Sequence, residues 1–338
     1  MKAMVLRAVG DLQMSDVASP SPKTGEVLVR VTHSGICGTD LKIFNGGIPV
    51  HHPLIMGHEM IGHVVEGSGD AGLQPGQRAV VDPVLFCGHC FHCRHGQTHL
   101  CPDGTLLGRD HDGGFAEYVA APAGNIYALP ERVNHREASL IQVLTTCLHA
   151  QRLVPIFPGE AVVIMGLGVT GQLHAQLAKA RGANPVIGIT RSPWKREMAE
   201  GLGADLAVAP GDEAREKVMQ ATDGRGADLV IESVGKLSVL AEAIDLVRFG
   251  GRLLGFGIYT EQDARLPFYQ LYFKEIAFIN ARAAKGEDYP AAIDLLQSGQ
   301  LQLEPLVTHS LALAEMGTAL DMLSMEVPDR MKIILDHG

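Results

Sequence analysis

The chain lacks several features that would settle its class at once. No uninterrupted apolar run reaches the ~18 residues of a membrane-spanning helix. The opening MKAMVLRAVGDLQM has no apolar core region and no small-residue cleavage site, so no secretory signal is expected. Basic charge is in short supply: 28 Lys and Arg stand against 38 Asp and Glu, for a net charge of −10. That balance removes any general attraction to nucleic acid or anionic lipid. Internal repeats and low-complexity tracts are missing too. The chain has 338 residues, and a core of that size needs no disulfides. A cytoplasmic home is the expectation by default. Thiols stay reduced there, so closely spaced cysteines read as metal ligands rather than disulfides.

What is present falls into two patterns. The first part reads as β-rich: short apolar runs such as 26–31 and 78–81 alternate with Gly/Pro punctuation in SPSPKTG and LQPGQ. Past Pro158-Gly159 the pattern changes to buried-type strands, at 161–165, 186–190, 206–208, 228–232, 252–256 and 276–280. Helical stretches such as 169–181 and 238–246 lie between them. This alternation predicts an α/β domain, a parallel sheet wound on both faces. The tail adds helices near 289–297 and 314–323 and a strand at 331–335.

Four of the six cysteines, Cys87, Cys90, Cys93 and Cys101, are spaced C-x2-C-x2-C-x7-C. Structural zinc takes four tetrahedral ligands, commonly all thiolates. The stretch CGHCFHCRHGQTHLC is too polar to hold its own shape, so a metal would supply its folding free energy. His89, His92, His95 and His99 read as bystanders beside four thiolates. Elsewhere, Cys37 in GICGTD and His58-Glu59 in GHEMIG offer a thiolate, an imidazole and a carboxylate. A catalytic zinc takes three protein ligands and keeps one open position, where an alcohol becomes far more acidic.

These segments, with GEVLVRV, DGGFAEY, the turn Gly166-Leu167-Gly168-Val169-Thr170-Gly171 and the closing DRMKIIL, resemble the zinc-dependent medium-chain dehydrogenase/reductases nearly end to end. The likeness is to the polyol, sugar-acid and threonine dehydrogenase branch. It implies a GroES-like β-rich catalytic domain over residues 1–152 carrying the zinc lobe 87–101, and a Rossmann coenzyme domain over 153–285. Residues 286–338 would return to the catalytic domain, and the active site would lie in the cleft between the domains. It further implies Cys37 and His58 as zinc ligands, Glu59 as a direct or intermittent ligand, and Thr39 as the hydroxyl that takes the alcohol's proton. Two zinc ions per chain follow, one at each cluster.

Three positions depart from the family pattern. Gln142, in Leu140-Ile141-Gln142-Val143-Leu144, fills the slot where Cys or Glu is usual; it is placed at or near the metal, directly or through water. The alternative is an ordinary polar helix residue, the zinc leaning on Glu59 or water. Thr146, one turn later, should face the nicotinamide. Lys42 stands where a proton-relaying His is usual, and can bind a charged substrate or point into water. Ser68 replaces the glycine that closes the GHE signature.

The glycine-rich turn follows an apolar strand and opens a helix, the context in which Gly166, Gly168 and Gly171, with Leu167 and Val169, cradle a pyrophosphate at a helix N-terminus. An NAD-preferring enzyme carries Asp or Glu at the end of the next strand. Here Thr190 stands there, followed by Arg191, Ser192, Lys195 and Arg196. Thr plus Arg can bind a 2′-phosphate that a carboxylate would repel, so NADP(H) is expected over NAD(H). The competing reading is a solvated basic helix start.

The resulting expectation is a zinc-dependent oxidoreductase that exchanges hydride between NADP(H) and a secondary alcohol or ketone of a polyol, sugar or sugar acid. The alternatives are a general NADPH-dependent aldehyde or ketone reductase, or a catalytically silent zinc-stabilised nucleotide-binding protein. Partners are a small-molecule substrate and further copies of the chain, as a homodimer or homotetramer by family analogy. Cys147, His149, His51 and His52 carry structural readings, and Trp194 is expected near the adenine-side helix start.

Overall fold

A computed structural model describes residues 1–66, 72–261, 265–325 and 327–338. Ser68 lies outside the described residues. The chain forms two compact units, Met1–Thr145 with Lys285–Gly338, and Thr146–Ala284. The division falls inside the helix Ile141–Leu153. In the part of this helix that belongs to the second unit, Gln151 bonds His174. Among the described residues no helix is long and apolar enough to cross a membrane.

The first unit is built on β1 (Glu26–Ile36), β2 (Glu59–Glu66), β3 (Arg78–Val81), β4 (Tyr118–Pro122) and β5 (Ile126–Ala128). Helix α1 (Gly38–Phe44) follows β1, and α2 (Ile141–Leu153) closes this stretch. Along β1, Val27, Val29 and Val31 are buried between exposed or half-buried neighbours, the period-2 signature of a strand with one face on the core. The β1–β2 ladder sets Gly35 opposite Glu59.

The second unit carries a six-stranded sheet of β6 (Val162–Met165), β7 (Val186–Ile189), β8 (Leu206–Val208), β9 (Ala227–Glu232), β10 (Val247–Gly255) and β11 (Ala277–Asn280). All its pairings are parallel, in the order β8-β7-β6-β9-β10-β11. Alternate residues of β6 feed opposite layers: Val162 and Ile164 join one apolar cluster, Val163 and Met165 another. That explains why VVIM reads as an unbroken apolar run, since strands covered on both faces do not alternate. Each such side chain contributes about 1.5–3 kcal/mol by leaving water, so this unit holds together without metal. The strand order reverses between β6 and β9, the switch point where such sheets bind ligands. Helices α3 (Val169–Ala180) and α4 (Pro193–Gly201) follow β6 and β7.

The returning segment supplies α5 (Asp288–Gln297), β12 (Val307–Ala312) and β13 (Lys332–Asp336). β13 pairs antiparallel with β1, so the first sheet runs β5-β3-β2-β1-β13-β12, with β4 also on β1.

Candidate active site

Cys37 is the N-cap of α1, in extended backbone conformation. Its sulfur accepts from Thr39 N at 3.3 Å, and its own N–H donates to Asp40 Oδ2 at 2.9 Å. This reciprocal capping box satisfies orphan N–H groups of the first turn and fixes where the thiol points. The thiol lies 3.1 Å from His58 Nε2. On the far side of the ring, His58 Nδ1 is 3.4 Å from Asp40 Oδ1, an ion-pair contact. One buried carboxylate therefore anchors the Cys37 backbone and backs the His58 imidazole. Asp40 is fully buried and His58 nearly so.

This donor set fits a zinc ion. Sulfur and imidazole nitrogen can close on one ion at about 2.3 and 2.0 Å. A carboxylate oxygen of Asp40 lies within 4.8 Å of the Cys37 and His58 donors. Even so, Asp40 sits behind the ring, where a carboxylate orients a ligating histidine rather than binding the ion. Burial opposes a charge on His58, but Cys37 and Asp40 outweigh it and hold its pKa well above the ordinary imidazole value. An ion taken up there must displace that proton, so loading is favoured as pH rises.

Glu59 has a partner of its own. Its carboxylate is paired with the Lys332 ammonium from β13, and both side chains are buried. Gly35 makes the space: a Cβ there would lie 2.0 Å from Glu59 Oε2 and 2.9 Å from Lys332 Cε. Gln142 is the half-buried second residue of α2, its carbonyl accepting from Thr145 Oγ1 at 2.6 Å. Thr39 is half-buried in the first turn of α1, and Lys42 is exposed in the last.

In the cysteine lobe, Cys87 Sγ lies 3.6 Å from Cys101 Sγ and 3.9 Å from Cys93 Sγ, and Cys90 Sγ lies 3.9 Å from Cys101 Sγ. Four sulfurs at about 2.3 Å from one tetrahedral ion stand about 3.8 Å apart, so the cluster fits zinc. Backbone N–H groups of His89 and Cys90 face the Cys87 thiol and pull its pKa down to about 6. His89, His92 and His95 are tied to Cys87 O, Gln97 and Phe91 O, consistent with bystanders. Phe91 is 68% exposed, so the lobe has little apolar burial to hold it. Cys101→Ser is expected to halve the zinc content measured by elemental analysis. Limited proteolysis should then cut within residues 87–101, since structural zinc contributes about 10–16 kcal/mol to such elements.

The glycine turn is shaped for a phosphate. Gly166 sits at φ +90°, which favours glycine. A Cβ on Gly171 would lie 1.8 Å from Gly166 O, so this glycine permits close packing of helix on strand. Gly168 caps α3 without a side-chain bond, and a Cβ there would meet nothing within 4 Å. Open space over unsatisfied N–H groups is what a pyrophosphate requires. Leu167 is buried beneath the turn, and Val169 begins α3. Thr146 is half-buried on α2.

At the end of β7, Thr190 is half-buried and Arg191 exposed. Arg196 Nη1 donates to Thr190 O at 2.9 Å and Arg191 O at 3.0 Å, so this arginine shapes the loop. Ser192 caps α4 without a side-chain bond. Lys195 Nζ lies 5.4 Å from the Trp194 ring centroid. Cys147 and His149 are buried, and burial pushes the Cys147 thiol pKa up. His52 Nδ1 lies 3.4 Å from Leu6 O, and His51 is exposed. Sequence reasoning missed Asp40 and Lys332. The C-x-x-D spacing of the capping box is a signal for Asp40; Lys332 left none.

Comparison with known proteins places this architecture. Residues 23–131 match the alcohol dehydrogenase GroES-like domain and residues 169–298 the zinc-binding dehydrogenase domain. The sorbitol dehydrogenase of Halalkalibacterium halodurans is 32% identical over 325 residues, covering 94% of this chain and 95% of that one. The L-threonine 3-dehydrogenase of Pyrococcus horikoshii is 36% identical over 305 residues, covering 88% and 87%. Among solved structures, a chain from Sinorhizobium meliloti 1021 described as a zinc-binding dehydrogenase and bound to NADP superposes with a TM-score of 0.93, at 30% identity over 99% of both chains. An Escherichia coli CFT073 alcohol dehydrogenase complexed with NADH gives 0.92 at 28% identity, over 100% and 99%. The fold and its metal-binding clusters thus define a zinc-type alcohol dehydrogenase. The chain belongs to the medium-chain dehydrogenase/reductase family, in its polyol and threonine dehydrogenase branch.

Proposed function

We propose that the protein oxidises a secondary alcohol of a polyol, sugar or sugar acid, or reduces the matching ketone, using NADP(H). The observation that carries this is the Cys37 thiol set 3.1 Å from His58 Nε2, with Asp40 behind the imidazole. Zinc, when bound, supplies Lewis acidity that lowers the pKa of an alcohol. Cys37 and His58 hold it, with Gln142 at or near it, directly or through water. Thr39, two residues from Cys37 in the first turn of α1, takes the alcohol's proton. Asp40 keeps Nε2 of His58 turned towards the thiol. Gly166, Leu167, Gly168, Val169 and Gly171 hold the coenzyme pyrophosphate, Thr146 faces the nicotinamide, and the four-cysteine lobe holds a second zinc. A panel of polyols, sugar acids and L-threonine, followed by NADPH absorbance with and without chelator, tests the reading. Oxidation that survives complete zinc removal would overturn it.

One neighbour holds NADP and another NADH, so the preference for NADP(H) rests on the residues after β7. Thr190, Arg191, Ser192 and Lys195 offer hydroxyl and cationic donors where a carboxylate would exclude a 2′-phosphate. Charge-assisted bonds of this kind are worth about 1.5–3 kcal/mol. Thr190→Asp is therefore expected to move the NADP/NAD ratio of kcat/KM towards NAD by about 10- to 100-fold; an unchanged ratio would remove the assignment.

The protein acts in the cytoplasm as a homodimer or homotetramer. Among the described residues β11 pairs with β10 alone, and Phe278 on it is 39% exposed, which supports this sheet edge as the contact between copies. Light scattering gives the copy number.

A further inference from the structure

Three segments leave the same end of the parallel sheet in the second unit: the glycine turn after β6, residues 233–236 after β9 and residues 256–261 after β10. They meet beside the switch point between β6 and β9. Glu232, the last residue of β9, is fully buried there. A buried carboxylate is costly unless it is hydrogen-bonded, and Glu232 is bonded through both oxygens. Its Oε1 accepts from Val234 N at 2.8 Å and from Gly235 N at 3.0 Å. Its Oε2 accepts from the Tyr259 hydroxyl. Tyr259 belongs to the loop after β10, so one side chain fastens two loops together. Glu261 adds a second tie: its Oε2 accepts at 2.6 Å from the N–H of Leu237, the first residue of the helix Leu237–Leu246.

The fastened loop rests in turn on the glycine turn. Ser233 Oγ shares its one proton between Met165 O at 3.0 Å and Gly166 O at 2.8 Å. A Cβ on Gly166 would lie 2.5 Å from Val234 Cγ2, so the valine packs directly against that glycine. Between the loops the backbones touch. A Cβ on Gly257 would lie 2.2 Å from Gly235 N, and one on Gly235, at φ +80°, would lie 2.8 Å from Ile258 O. Above these buried bonds the rim is open and apolar: Val234 is 45% exposed and Ile258 70%.

We propose that Glu232 and Tyr259 are positioning residues for the coenzyme, clamping the loops after β9 and β10 against the glycine turn so that the dinucleotide site is formed before the dinucleotide arrives. The inference rests on the assignment of the glycine turn to the coenzyme pyrophosphate. Affinity falls in proportion to the fraction of protein whose site is already formed, and ordering a loose loop on binding draws on the same free energy. The Tyr259 hydroxyl is the tie that a change of one atom removes. Without it the loop after β10 is released, while Glu232 keeps both N–H donors. The loss falls equally on NADPH and NADH, because their 2′-positions are read after β7 and not here.

The test is made on the zinc-loaded full-length protein, with NADPH and NADH each titrated by fluorescence. Tyr259→Phe should raise both Kd values by about tenfold and leave their ratio unchanged. Hydrogen exchange at the Val234 and Gly235 amides should quicken by about the same factor, while the amides of β6 and β9 keep their rates. Glu232→Ala should lose at least as much affinity as Tyr259→Phe. Glu232→Gln should stay within about threefold of the wild type, because its carbonyl keeps the two N–H bonds and its amide donates to the Tyr259 oxygen. Unchanged Kd values in Tyr259→Phe overturn the inference even if Tm falls, since that pattern is a structural role alone. Faster exchange throughout β6 and β9 overturns it for the same reason. A Glu232→Gln protein as weak as Glu232→Ala overturns it too, because charge and not position would then matter. A wild type that binds neither coenzyme overturns the dehydrogenase reading, and the inference with it; a wild type that binds while Tyr259→Phe matches it overturns the inference alone.

Discussion

Exchange of His58 for Ala is expected to lower kcat/KM for alcohol oxidation by about 10³-fold or more. On the proposed reading, an ion held there would be worth several kcal/mol of charge stabilisation as the alcohol loses its proton, and each 1.36 kcal/mol is about tenfold in rate. The site has little redundancy. Glu59 is engaged by Lys332, and Asp40 already serves the Cys37 N–H. The variant should keep its fold and its cysteine-lobe zinc, so elemental analysis should fall from about two zinc ions per chain to about one. Asp40→Asn separates holding the ion from orienting its ligand: loss of an outer-shell partner typically costs about 10–100-fold in metal affinity or activity. A His58→Ala protein that retains wild-type turnover would show that the chemistry does not pass through this cluster.

Lys332→Met should destabilise the first unit substantially. Lys332 is 3% exposed and Glu59 1%. Removing the ammonium strands a carboxylate under the sheet, and breaking a buried pair in this way costs about 3–5 kcal/mol. For a unit of this size that is a fall in Tm of about 6–20 °C. The remedy identifies the cause. Glu59→Gln added to Lys332→Met removes the stranded charge and should recover most of the loss, a coupling that a double-mutant cycle measures directly. If Lys332→Met melts with the wild type, Glu59 is not held by this contact and is free to reach the ion. Gly35 belongs to the same argument, since any side chain there would collide with the Glu59 carboxylate.

Much of the second unit was legible because its strands are covered on both faces. Apolar runs at 161–165 and 186–190 mark the observed β6 and β7 to within a residue. The strand expected at 252–256 in fact begins at Val247, because Val247 pairs with Ala227 across an irregularity that carries Gly250-Gly251 through the ladder. Glycines that read locally as a turn are there held by a neighbouring strand. The same holds for β1. Its apolar alternation stops at Val31, yet the strand continues to Ile36, because Ser34 and Gly35 pair with β13. Polar residues at 32–34 gave no local reason to extend it.

The chain's residue types by themselves determined which chemistry is available: four thiols at zinc-finger spacing, a thiol and an imidazole suited to a second ion, a glycine turn between strand and helix, and no acid after β7. These are properties of side chains and short spacings, and they survive without coordinates. Only the tertiary structure decided which charges meet. Glu59 and Lys332 are brought together by the pairing of β13 with β1. The reason is physical: a buried charge or hydroxyl takes its behaviour from its partner, and sequence distance carries no information about that partner until strand pairing has fixed it.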